Sequence, residues 1–107
     1  MKQELSAHHR IGDGGRPAGG QTYAPGLSIA WQDGPLGRGE DRTAPNGCFV
    51  ETVIEAAVDR LNFYQAGPFN CTENGDALVA LHRALLALNK RTNRREAEGT
   101  EGTHEGS

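Results

Sequence analysis

The sequence predicts a mainly α fold with a small β element. Its expected form is an antiparallel two-helix hairpin preceded by a short strand region, assembling into a helical-bundle dimer or higher oligomer. Three observations predict it. Apolar residues recur at three-four spacing from Val50 to Tyr64 and again from Leu78 to Thr92, the period of a helix with one buried face. Gly67-Pro68 separates the two runs and ends the first. Upstream, Leu27, Ile29 and Trp31 alternate, the period of a strand with one apolar face.

Length sets the scale. The chain has 107 residues, one domain at most. Ten of its fifteen glycines and four of its five prolines precede Cys48, so the well-patterned part is only about sixty residues, marginal unless something covers its apolar surface.

Residues 1–26 hold Gly12, Gly14, Gly15, Gly19 and Gly20 and little apolar content, so a flexible N-terminal tail is expected. Removing Met1–Ala24 should then change stability little. Residues 27–45 form a short strand (LSIAWQ), stopped by Asp33-Gly34-Pro35, and a polar loop. Residues 46–98 are the helical hairpin. Its first helix is expected to start with Asn46 as N-cap and run to about Ala66, carrying Val50, Val53, Ala57 and Tyr64 with Ile54, Val58 and Leu61 widening the stripe. Asn70 and Glu73 are spaced as a capping box for the second helix. That helix carries Leu78, Leu81, Leu85, Leu88 and Thr92 in heptad order to about Glu96, and residues 99–107 form a flexible acidic tail. A six-residue connection predicts antiparallel neighbours. Their stripes are wider than one partner covers, because Val79 and Leu86 lie outside the seam. Self-association about a two-fold axis is the simplest remedy.

Charge narrows the ligand classes. The net charge is -3, yet Arg83 to Arg95 holds five basic residues and no acidic one. A weakly acidic chain with one basic patch suits a small anion better than a nucleic acid. Four glutamates follow the patch with no Lys or Arg, which would repel a polyanion. Cys48 and Cys71 start the two helices, at opposite ends of a closed hairpin and out of bridging range. Reduced thiols suit the cytosol. The N-terminus lacks the apolar run of a signal peptide, and no apolar stretch is long enough to span a membrane.

The residues with chemistry point to binding. Arg91 and Arg95 lie four apart, on one face of the last turns, with Lys90 and Arg94 beside them. Such a cluster complements the helix macrodipole, but its preference for arginine favours bidentate phosphate contacts. Phe63 and Tyr64 point about 100° apart on a helix: Tyr64 continues the apolar stripe, and either ring can stack on a nucleobase. Arg60 precedes them by about one turn, and Asn74, in the first turn of the second helix, offers an amide. No catalytic constellation is in sight, and His8, His9, His82 and His104 lack partners at metal-ligand spacing. No enzyme, metal or cofactor is expected.

The string Arg60-Leu61, Phe63-Tyr64-Gln65, Cys71-Thr72-Glu73-Asn74, Ala77, Leu81, Ala84, Leu88, Arg91-Thr92, Arg95-Glu96, Gly99 and Glu101-Gly102-Thr103-His104 resembles the phage anti-Thoeris sponge family, which shares its hairpin domain with anti-CBASS sponges. Gln32-Asp33-Gly34-Pro35 and Asn46-Gly47 look like two further signatures of that family. The resemblance covers Ile29 to His104. It implies a non-enzymatic trap for cyclic nucleotide second messengers, cyclic ADP-ribose isomers and in some members cyclic oligonucleotides, acting in the cytoplasm of the infected bacterial host. It also implies dimers, in some members three dimers joined as a hexamer, with ligand between subunits. The family's paired arginines, late first-helix aromatic residue and early second-helix asparagine fall on Arg91, Arg95, Tyr64 and Asn74. The loop LGRGEDRTAP between Pro35 and Asn46 is longer and more charged than the family's usual link, and residues 1–26 have no counterpart in its pattern. Two other classes remain open on the residues themselves, a helical hairpin that binds a protein partner without nucleotide and a small nucleic-acid-binding accessory protein.

Overall fold

The computed structural model describes residues 2–37, 40 and 42–97, with side chains as far as Arg94. The acidic tail expected over 99–107, His104 within it, and Arg38 lie outside the described residues, as does the side chain of Arg95. The elements run β1 (Ser6–Ile11), β2 (Pro17–Ala24), β3 (Leu27–Trp31), α1 (Val50–Gln65) and α2 (Thr72–Ala97). The first 49 residues and the helical stretch Val50–Arg94 form separate compact units.

The N-terminal unit is a three-stranded antiparallel sheet in the order β1-β2-β3. It corrects two expectations: the segment 1–26 is not a tail but supplies two of the three strands, and the β element is larger than the single strand that alternation marks. The glycines that suggested disorder make the pairing possible. Gly20 faces His9 across the β1–β2 ladder with φ 132°, and a Cβ there would sit 2.2 Å from the His8 carbonyl oxygen. Only a residue without a side chain lets β1 approach that closely. Pro25-Gly26 turns β2 into β3 with Gly26 at φ 81°, the left-handed corner a tight turn reserves for glycine. Cross-strand pairs put Ala7, Thr22 and Ile29 on one face, joined two residues along by His9, Gly20 and Trp31. On that face the Trp31 indole Nε1 donates to Thr22 Oγ1 at 2.8 Å, satisfying the one polar group of a half-buried ring.

After β3 the chain leaves and returns. Cys48 pairs beside Trp31 in a parallel bridge, with Gln32 N donating to Cys48 O at 3.0 Å and Cys48 N to Ala30 O at 2.7 Å. Side chains hold the neck of the loop. Gln32 Oε1 accepts from Asn46 N (2.9 Å) and Gly47 N (3.2 Å), while its Nε2 donates to Gly34 O at 3.2 Å. Asn46 closes the other side: Asp33 N donates to its Oδ1 at 2.8 Å and its Nδ2 donates to Asp33 O at 3.0 Å. A Cβ on Gly47 would lie 2.5 Å from the Trp31 carbonyl, so the crossing requires glycine. Asn46 is therefore a clasp residue and not a helix cap. Its side chain is taken by Asp33, and α1 begins only at Val50.

In the helical unit the α2 pattern reads as expected. Ala77, Leu78, Leu81, Ala84, Leu85, Leu88 and Thr92 are half-buried, while Val79 and Leu86 are 54% and 63% exposed. On α1 the half-buried stripe is Val53, Ile54, Val58, Leu61, Tyr64 and Gln65; Val50 and Ala57, expected on it, are exposed. Among the described residues no apolar side chain is fully buried. The two helices meet at the turn between Gln65 and Thr72 and belong to one compact unit.

Gly20→Ala should force β1 away from β2, because the added carbon has no space and the backbone a positive φ. The expected loss is about 1–3 kcal/mol, read as a lower melting temperature with faster amide exchange at His8 and His9. Unchanged exchange there would show that the strand pairing does not depend on the glycine.

Candidate functional site

The turn between the helices is organised by one side chain. Gln65, the last residue of α1, accepts at Oε1 from Cys71 N (2.9 Å) and Asn74 Nδ2 (3.1 Å), and donates from Nε2 to Cys71 O at 3.0 Å. It thereby supplies a partner for a backbone donor next to the start of α2, which the helix itself leaves unpaired. The first of the remaining turn bonds is Gly67 N to Tyr64 O at 3.1 Å, which closes α1. Asn70 does not form the expected capping box. Its Nδ2 donates back to Gly67 O at 2.8 Å, a local turn bond that competes with the cap. Asn74 Nδ2 also reaches Phe69 O at 3.2 Å, so both Asn74 amide protons are spent on the turn. What Asn74 offers a ligand is the acceptor Oδ1.

Beside that turn lies a cation-aromatic cluster. The Arg60 guanidinium carbon stands 4.9 Å from the Tyr64 ring centroid and 5.0 Å from that of Phe63, and Arg60 Nε donates to Tyr64 Oη at 3.1 Å. Phe63 and Tyr64 centroids are 6.2 Å apart, and Phe69 meets Tyr64 edge-on at 6.5 Å with an interplanar angle of 81°, a preferred aromatic geometry. Phe63 and Phe69 are 65% and 75% exposed, and Tyr64 is half-buried. Exposed rings gathered around a cation form a surface on which a planar ligand can stack.

Of the six residues singled out from sequence, the structure gathers four, Arg60, Phe63, Tyr64 and Asn74, at one end of the helical unit. Arg91 is exposed on α2, and Arg95 belongs to the same helix. Arg91 lies seventeen residues beyond Asn74, about 25 Å along a helix axis, so one chain does not bring the arginines to the aromatic cluster. Two participants escaped sequence reasoning. Phe69 follows a Gly-Pro pair and reads as loop; Gln65 reads as the polar end of a helix. Among the described residues no group of three or more His, Cys, Asp or Glu converges as metal ligands. No helix among them is long and apolar enough to cross a membrane.

Over 60 residues the chain is 48% identical to the protein named Thoeris anti-defense 1 of Bacillus phage SBSphiJ7, a stretch covering 56% of this chain. That makes the chain a relative of a phage anti-Thoeris protein across the matched segment, in agreement with the resemblance carried by its motifs. The matched stretch spans 42% of the relative's own length. No protein-family model matches the chain.

Gln65→Ala should remove three hydrogen bonds at once and destabilise the helical unit by about 1–3 kcal/mol, with fraying of the first turn of α2. Gln65→Glu keeps the acceptor but cannot donate to Cys71 O, so it should fall between wild type and alanine. Thermal unfolding and amide exchange at Cys71 check both. Equal stability in all three proteins would deny Gln65 its organising role.

Proposed function

We propose, with this kinship as premise, that the protein is a non-catalytic sponge that binds cyclic nucleotide immune second messengers and so blocks a bacterial anti-phage defence. The observation that carries the reading is the cluster of Arg60, Phe63, half-buried Tyr64 and Phe69 at a turn whose Asn74 keeps its Oδ1 acceptor unspent among the described residues. In this reading the rings stack on the base and Asn74 Oδ1 accepts from a base or ribose donor. Arg91 and Arg95 hold the pyrophosphate through bidentate contacts. Cyclic ADP-ribose isomers are the first ligand class, cyclic oligonucleotides the second. The site acts in the cytoplasm of the infected host and needs no metal or cofactor, because sequestration asks only for affinity.

The same reading requires a second copy. The arginines and the aromatic turn lie far apart on one chain, and the half-buried stripes of α1 and α2 leave apolar surface uncovered. A two-fold pairing of helical units would answer both, placing the turn of one subunit beside the arginines of another; three such dimers would give a hexamer. A second reading, a helical element that binds a protein partner without nucleotide, draws on the exposure of Val79 and Leu86. A nucleic-acid partner has less in its favour, given the net charge of -3.

Calorimetry with cyclic ADP-ribose tests the proposal. Arg91→Ala and Arg95→Ala should each weaken binding by about 1.5–3 kcal/mol, and lysine should not restore it fully. Tyr64→Ala should cost about 1–3 kcal/mol of binding, with Tyr64→Phe milder. If the arginines serve only the macrodipole, each change lowers stability by less than about 1 kcal/mol and leaves affinity alone. Heating the complex should release the ligand intact; a hydrolysed product would make the protein an enzyme and end the sponge reading.

Assembly has its own check. Light scattering at micromolar concentration should give at least the dimer mass, and a monomer mass would remove the composite site.

A further inference from the structure

Arg60 occupies the place a stacked base would want. Its guanidinium carbon stands 4.9 and 5.0 Å from the Tyr64 and Phe63 centroids, and its Nε donates to the Tyr64 hydroxyl. Residues 60, 63 and 64 stand three and four apart, so helix geometry brings the three side chains within reach. Phe69 meets Tyr64 edge-on from the turn. Of the groups gathered on Tyr64, Phe69 is anchored beside the hydrogen-bonded turn, whereas Arg60 is a long exposed side chain free to change rotamer.

We propose that Arg60 is the placeholder of the base platform and the selector for phosphate-bearing ligands. The inference rests on the nucleotide-binding reading and goes beyond it, assigning a role to a residue outside the paired arginines. A ring face holds one planar group at a time. A base that stacks on the face of Tyr64 that Arg60 covers must first displace the guanidinium, giving up both the cation-π contact and the bond to Tyr64 Oη. A neutral nucleoside makes that exchange at a loss, since the displaced arginine returns to water. A nucleotide does not, because the freed guanidinium finds a phosphate within reach and pairs with it bidentately. One side chain thus protects exposed aromatic surface in the free protein and discriminates against bases without phosphate.

The test uses the full chain with adenosine and cyclic ADP-ribose as probes. In the free protein the Arg60 Hδ resonances should be shifted upfield by the ring currents of Tyr64 and Phe63, and saturation with cyclic ADP-ribose should abolish the shift. In Arg60→Ala, adenosine should bind about two- to fivefold more tightly, the factor equivalent to an exposed cation-π contact. Cyclic ADP-ribose should bind the same variant about tenfold less tightly. Arg60→Lys, which keeps the charge but loses the plane, should fall between on both probes. Weakening of both probes in Arg60→Ala overturns the proposal and makes Arg60 an ordinary contact; unchanged affinity for both overturns it as well. Absence of the upfield shift in the free protein overturns it without reference to any ligand. If wild type binds neither probe while the shift is present, the nucleotide reading itself fails and the placeholder with it. Binding by wild type with no effect of Arg60→Ala sinks the placeholder alone.

Discussion

The carboxamide of Gln65 ties the end of α1 to the beginning of α2, and the geometry of the turn follows from it. The position needs a group that accepts twice and donates once, which among side chains an amide provides and a carboxylate does not. By accepting from Cys71 N it sets where α2 starts, and by accepting from Asn74 Nδ2 it turns that amide so that its oxygen is left unspent. Phe69 is held in the same knot, since its carbonyl takes the other Asn74 proton and its ring meets Tyr64. Phe69 is thus brought to the cluster by the turn's polar contacts, whereas Phe63 and Tyr64 take their places from α1.

What the helical unit lacks is equally informative. Its stripes are half-buried and none of the described apolar side chains is fully covered, so packing within the unit contributes less than its composition allows. A helix of 26 residues such as α2 gains stability mostly from an apolar face laid against something else. Half-buried stripes keep apolar surface available. On the sponge reading this openness and the distance between Tyr64 and Arg91 are one requirement, since a single pairing event covers the stripes and assembles the pocket.

Local periodicity carried most of what was legible in the sequence. The α2 seam, the Leu27-Ile29-Trp31 face, the Gly67-Pro68 stop and the contrast between exposed Phe63 and half-buried Tyr64 all depend on spacing along one element. Four of the six singled-out residues came together for the same reason, as they flank one short turn. What escaped depends on partners distant in sequence or on space rather than on chemistry. β1 and β2 are poor in branched residues, and their pairing rests on the missing Cβ of Gly20, a property no propensity scale records. Asn46 looked like a cap because Asn is a good one, yet Asp33, thirteen residues away, claims its side chain.

Each unit uses the same device at its critical crossing. At the neck of the loop, Gln32 Oε1 takes the backbone protons of Asn46 and Gly47 while its Nε2 gives to Gly34 O. At the helical turn, Gln65 Oε1 takes the protons of Cys71 and Asn74 while its Nε2 gives to Cys71 O. In both, a glutamine amide behaves as an extra peptide group inserted where the chain needs a donor and an acceptor that secondary structure does not supply. The two crossings differ in what the neighbouring asparagine has left. Asn46 spends its oxygen and nitrogen on Asp33, and Gly47 beside it leaves no room for a side chain, so the clasp is closed tightly. Among the described residues Asn74 spends only its nitrogen. On the sponge reading, its unspent acceptor beside the Phe63, Tyr64 and Phe69 rings is what suits the helical turn to a ligand.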